Sequence, residues 1–139
     1  MDEVTLTKAK KIISDHPNSI LITVDEGGRP VDRVMRTARV DDDLTVYYAT
    51  GLKSAKVKRL ELNPSVLVLW AGESGYLSLK GVASVTTDPE ILGRIWRDTF
   101  ATYFHGGKTD PNYAVIIVKP REWTCSEGCD AAVALVDIP

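Results

Sequence analysis

Residues 48–64 read YATGLKSAKVKRLELNP. A strand-like run ends at Ala49-Thr50, Gly51 breaks it, and Ser54 stands where a short helix should begin. That helix carries Lys56, Lys58 and Arg59, with Lys53 just before it, in a chain whose net charge is -2. The pair Asn63-Pro64 stops it, because the residue before a proline is pushed out of helical backbone. A strand that feeds a helix through so short a turn sets the helix N-terminus beside the strand end. Unpaired N–H groups and the positive end of the helix dipole then favour an anion.

The flanking segments are read by their periodicity. Residues 5–15 place Leu6, Ala9, Ile12 and Ile13 at helical spacing. The β-branched run SILITV (19–24) predicts a strand, and DEGGRP (25–30) a turn. Residues 30–40, PVDRVMRTARV, alternate: Val31, Arg33, Met35 and Thr37 face one way, Asp32, Val34, Arg36 and Ala38 the other. Neither face is purely apolar, which a ligand on one side would explain. LTVYYAT (44–50) is a strong strand after the DDD turn, and residues 65–71 and 76–87 pair around GESG.

Asp88-Pro89-Glu90 is a helix start, and Ile91, Leu92, Ile95, Trp96 and Phe100 supply a buried stripe that ends at Gly106-Gly107. YAVIIVKP (113–120) is the last clear strand. Five or six short strands joined by hairpin-length turns predict an antiparallel sheet curled into a barrel or half-barrel, in the α+β class. No βαβ alternation and no G-x-G-x-x-G run speak for a dinucleotide fold.

The 139 residues suit one domain over 1–139, and 44% hydrophobic with 26% charged residues is ordinary globular composition. A pI near 5.7 argues against a nucleic-acid binder. The longest apolar runs, 114–118 and 131–136, fall far short of the ~20 residues of a membrane span. The N-terminus lacks a signal-peptide stretch, so a cytoplasmic protein is expected. Cys125 and Cys129 make no disulfide framework and, with His16 and His105 distant in sequence, no metal site. Asp41-Asp42-Asp43 lacks the ligand spacing of a calcium loop. Trp70, Trp96 and Trp123 read as core or interface residues.

The junction at residues 50–56 supports two readings. By pattern, Lys53, Lys56, Lys58 and Arg59 read first as the solvated face of a short helix. The second reading is a pocket for one phosphate. Ser54 and Thr50 would donate hydroxyls, Lys56 a charge in the first helical turn, and Arg33 or Arg36 a two-pronged guanidinium contact.

The order of SILITVDEGGRP, DRVMR, LTVYYATGLKSAKVKRLELNPSVLVLW, YLSLKGVASVTTDPE and IWRDTFATYFHGGKTDPNYAVIIVKP resembles the FMN-binding split-barrel family, which includes pyridoxamine 5′-phosphate oxidase. The similarity is greatest to its short general-stress-protein branch and covers residues 5–122. Its most specific segments are T-G-x-x-S-x-K-V and Y-F-x-G-G-x-x-D-P.

The resemblance implies a six-stranded antiparallel split β-barrel of Greek-key type flanked by short helices. It implies a homodimer with FMN held in clefts between subunits. The flavin phosphate would meet Arg33, Arg36, Thr50, Ser54 and Lys56, while backbone around Val34, Met35 and Ala49 would follow the ring and ribityl chain. Tyr76 would stand near the flavin. The implied activity is oxidoreduction between a small electron donor and acceptor.

A non-catalytic flavin-binding or sensing protein of the same fold is the alternative, as is a split barrel that uses deazaflavin or haem. No Ser-His-Asp or Cys-His arrangement stands out, so no catalytic acid or base is assigned. Arg36 and His105 depart from the branch's usual residues, and the segment 123–139 is an atypical C-terminus that does not align.

Overall fold

The computed structural model describes residues 3–127 and 130–135. Its elements are α1 (Glu3–Asp15), β1 (Asn18–Val24), β2 (Pro30–Arg36), β3 (Arg39–Val40), β4 (Val46–Gly51), α2 (Ala55–Leu62), β5 (Ser65–Gly72), β6 (Gly75–Thr86), α3 (Pro89–Ile95), β7 (Tyr113–Glu127) and β8 (Asp130–Leu135). Two 3₁₀ turns, Asp98–Thr102 and Gly107–Thr109, lie between α3 and β7. Among the described residues no helix is long and apolar enough to cross a membrane.

The strands form one antiparallel sheet in the order β2-β1-β5-β6-β7-β4-β3, and β8 pairs with β7 off that path. The two ends of the path, β2 and β3, are neighbours in the chain. The run 30–40 pairs first with β1 and, past Thr37-Ala38, with β4. Thr37 N donates to Pro17 O at 3.1 Å and Ala38 N to Tyr47 O at 2.9 Å, so the partner changes at those two residues. This curls the sheet into a half-barrel. Inside the crossing, the Ser19 hydroxyl lies 2.6 Å from the Tyr48 hydroxyl and 2.8 Å from that of Thr37.

Alternation sorts the side chains into two cores. Leu21, Val46, Tyr48, Val68, Trp70, Leu77, Leu79, Ile116, Val118 and Trp123 fill the inside of the curl, closed by Ala9 and Ile12 of α1 and Leu60 of α2. On the outer face Tyr47, Tyr113 and Val115 pack under Leu92 and Ile95 of α3 and under Phe104. β4 is therefore buried on both faces, which is why apolar and aromatic residues run from Val46 to Ala49 without alternation.

Two expectations need correction. The resemblance implied six strands, whereas seven follow one another along the sheet and β8 adds an eighth. One addition is β3, split from β2 by the change of partner. The other comes from the C-terminal segment that resisted alignment: β7 runs on to Glu127 and returns through β8. Cys129 and residues 136–139 lie outside the described residues.

The helix expected from Asp88 to Gly106-Gly107 ends at Ile95. Trp96 and Arg97 turn to extended backbone. The aromatic stripe then packs around Tyr113, with ring centroids at 5.2 Å for Trp96 and 5.1 Å for Phe104. The Arg97 guanidinium donates to the Ala38 carbonyl. Ring packing and this bond outweigh continued helical pairing.

Candidate binding cleft

A cleft of about 510 Å³ opens where β2, the end of β4, the start of α2 and the first 3₁₀ turn meet. Arg33, Val34, Met35, Arg36, Ala49, Thr50 and Lys56 line it, so these expected site residues are brought together. Ser54 stands behind them. It is the N-cap of α2, with extended backbone (φ -68°, ψ 155°), yet its hydroxyl makes no capping bond. That hydroxyl lies 3.4 Å from Thr50 Oγ1, long for a hydroxyl pair. Both oxygens can serve a third atom better than each other.

Lys56 is half-buried in the first turn of α2. Burial holds its ammonium below the ordinary lysine value, and the like charges of Arg33 and Arg59 push the same way. Among the described residues no carboxylate pairs with Lys56, Arg33 or Arg36. The other cations of the junction do not share this position. Lys53 and Lys58 are exposed, and Arg59 Nε donates to Thr23 Oγ1 at 2.8 Å, which turns it toward β1. The solvated-face reading therefore describes Lys53 and Lys58 and fails for Lys56 and Arg59.

The remaining wall was missed by sequence reasoning. Phe100, Tyr103, Phe104, Gly51 and Asn112 complete the lining. The signal was present in Y-F-x-G-G-x-x-D-P, but a continuous helix would have buried this stripe in the core. The 3₁₀ turn exposes part of it instead, with Tyr103 78% accessible, and across the cleft Val34 of β2 is 65% accessible. Tyr76, expected near the flavin, is not in the lining; it sits at the β5–β6 hairpin opposite Ala71. A second cavity of about 500 Å³ adjoins the cleft, and Arg36, Phe100 and Tyr103 line both, with Arg97 and Asp98 on the far side. Among the described residues no group of three His, Cys, Asp or Glu side chains is placed to hold a metal.

The arrangement is a concave site with one cationic, hydroxyl-bearing end and apolar and aromatic walls. Its volume falls within the ~300–1,000 Å³ of small-molecule sites. No Asp, Glu, His or Cys lines it, so among the described residues the cleft holds no carboxylate, imidazole or thiol to move a proton.

Comparison with known proteins agrees with this architecture. Residues 4–135 match the family model described as pyridoxamine 5'-phosphate oxidase like. The chain is 28% identical over 120 residues to general stress protein 26 of Bacillus subtilis, with 83% of each chain covered. It is 33% identical over 69 residues to the pyridoxine/pyridoxamine 5'-phosphate oxidase of Shewanella denitrificans, a match that spans 49% of this chain and 32% of that protein. A solved structure from Clostridium acetobutylicum, described as related to general stress protein 26, superimposes with a TM-score of 0.85 at 19% identity, covering 98% of this chain and 97% of that one. The family match runs through β8, so the C-terminal segment is part of the shared domain. The chain belongs to the pyridoxamine 5'-phosphate oxidase-like family.

Proposed function

We propose that this protein binds FMN in the cleft and works as a homodimeric flavin-dependent oxidoreductase on small molecules. One observation carries the reading. Lys56 is drawn below its ordinary pKa by burial and by two like charges, and among the described residues no carboxylate relieves it. An unrelieved, half-buried cation in the wall of a cleft calls for an anion from outside. A phosphate ester matches the chemistry there: Lys56 and Arg33 for charge, the Thr50 and Ser54 hydroxyls and the first N–H groups of α2 for hydrogen bonds.

The rest of the cleft fits the rest of that molecule. Val34 and Met35 offer an apolar edge strand, and Phe100, Tyr103 and Phe104 an aromatic wall, suited to a planar ring. Val34 and Tyr103 are too exposed to form a finished ring site in one protomer, which is the support for a second copy covering the cleft. FMN, when bound, supplies the electron transfer itself. The chain's own residues bind the phosphate, orient the ring and exclude water. The adjoining cavity behind Arg36 is where an acceptor would stand beside the ring.

Deazaflavin would present a phosphate to the same residues, so the released chromophore decides between the two. Haem is less well supported, because the cleft lining holds no histidine or cysteine and its cationic, hydroxyl-bearing end suits a phosphate. The second reading is a flavin-binding protein without turnover, and the absence of a proton-moving carboxylate, imidazole or thiol from the lining is what favours it. Anaerobic mixing of the FMN-loaded protein with NADH or NADPH, then with oxygen or a quinone, separates the two. Bleaching and recovery of the flavin band at a rate above free FMN supports the oxidoreductase. A band that neither donor bleaches faster than free FMN leaves the binder.

A further inference from the structure

We infer that Asn112 is a positioning residue for the anion end of the cleft, a role that rests on the phosphate reading above. Asn112 follows a turn built on Asp110, whose carboxylate accepts from Asn112 N at 2.9 Å and from Gly106 N at 3.0 Å. Those two backbone bonds also hold the Asp110 carboxyl below its usual range. From this anchor Asn112 reaches the loop between β4 and α2, 59 residues earlier in the chain. Its carbonyl accepts from Leu52 N at 2.7 Å, and its side-chain Oδ1 accepts from Lys53 N at 3.1 Å. Its Nδ2 lies 3.1 Å from where a β-carbon on Gly51 would stand.

One side chain and its own backbone thus hold two consecutive loop residues, Leu52 and Lys53, while the amide nitrogen fills the space beside Gly51. Within the turn itself, Ser54 N donates to Gly51 O at 3.0 Å, and the Thr50 and Ser54 hydroxyls add only their long 3.4 Å contact. The loop decides where Thr50, Ser54 and Lys56 stand relative to one another. Because Lys53 N–H can only donate, Oδ1 must face the loop, which leaves Nδ2 on the Gly51 side, where Asn112 lines the cleft. The same turn adjoins the segment that carries Phe100, Tyr103 and Phe104. Asn112 therefore ties the aromatic wall to the anion loop.

The role predicts a selective defect. A residue that shapes the phosphate end matters to FMN and not to riboflavin, which lacks the phosphate. A residue needed only for folding weakens both. Dissociation constants for FMN and riboflavin are measured by quenching of flavin fluorescence, in the wild type and in Asn112→Ala. Loss of the loop bond should weaken FMN roughly five- to tenfold, with riboflavin changed by less than about twofold. An equal loss for both ligands, or no loss for FMN, overturns the inference.

If Asn112→Ala does not fold, Gly51→Val takes its place, since its β-carbon would stand 3.1 Å from Nδ2 and its methyl groups add bulk on the side of the same amide. An unchanged preference for FMN in that variant overturns the inference equally. A wild type that shows no preference for FMN over riboflavin refutes the phosphate reading itself, a result distinct from the failure of Asn112.

Discussion

Lys56 sits half-buried with Arg33 and Arg59 as its charged neighbours, and its chemistry sets the predictions at the scale of single side chains. Lys56→Ala should weaken FMN by about 1.5–3 kcal/mol, roughly 10- to 100-fold, the usual worth of a hydrogen bond to a charged group. A fluorescence titration reads it. The pH dependence has a definite sign. In the free protein the folded-state pKa of Lys56 lies below its ordinary 10.5, so between the two values the folded chain binds fewer protons than the unfolded one. Stability of the free protein from this group therefore rises with pH through that window.

FMN affinity runs the other way, because the phosphate needs the charged form. It should fall as pH rises through the depressed pKa, and Lys56→Arg should move that fall to higher pH; a titration series in alkaline buffers checks both. Arg33, Thr50 and Lys56 were legible in the sequence as candidates, but a solvated helix face was the first reading of the junction, and only the fold brings the three into one cleft. Asn112 was not, since its partners are Leu52 and Lys53, and nothing local announces a contact across that distance.

Elements obeyed their patterns where local signals and tertiary packing agreed. The N-cap of α3 formed as read, with Asp88 Oδ1 accepting from Glu90 N at 3.1 Å. Where they disagreed, packing won. Trp96 and Phe100 have helical spacing, but their rings meet Tyr113 only if the chain leaves the helix after Ile95. The alternation expected over residues 30–40 holds for β2, residues 30–36, and breaks at Thr37-Ala38, where the partner changes, which no two-residue period can show.

Gly81 marks another irregularity, where the β6–β7 register shifts between Lys80 and Gly81. A β-carbon there would stand 2.5 Å from the Lys119 carbonyl and 2.9 Å from Val118 Cγ1. Gly81→Ala should cost about 1–3 kcal/mol of stability, as overpacking against backbone does. Urea denaturation of the free protein measures it.

The whole molecule depends on how the curled sheet meets itself. Ser19 on β1, Thr37 between β2 and β3, and Tyr48 on β4 share hydroxyl contacts at that crossing, and Ser19 and Tyr48 are buried. Burial also raises the Tyr48 phenol well above its usual pKa, so it remains a neutral donor across the working pH range. Tyr48→Phe removes the hydroxyl that ties β4 to β1 and should destabilise the fold by about 1–2 kcal/mol, read by thermal or denaturant unfolding. The curl was legible from strand number and turn length. Its strand count was not, because β3 exists only through its pairing with β4.

FMN bound in the cleft between β2, β4 and α2 would give the protein a colour. The most direct test is the visible absorption spectrum of the purified protein, before and after addition of FMN, with identification of the chromophore released on denaturation. The expected result is a flavin spectrum and released FMN, or tight uptake of FMN that Lys56→Ala impairs. A colourless protein that takes up no added FMN would contradict it.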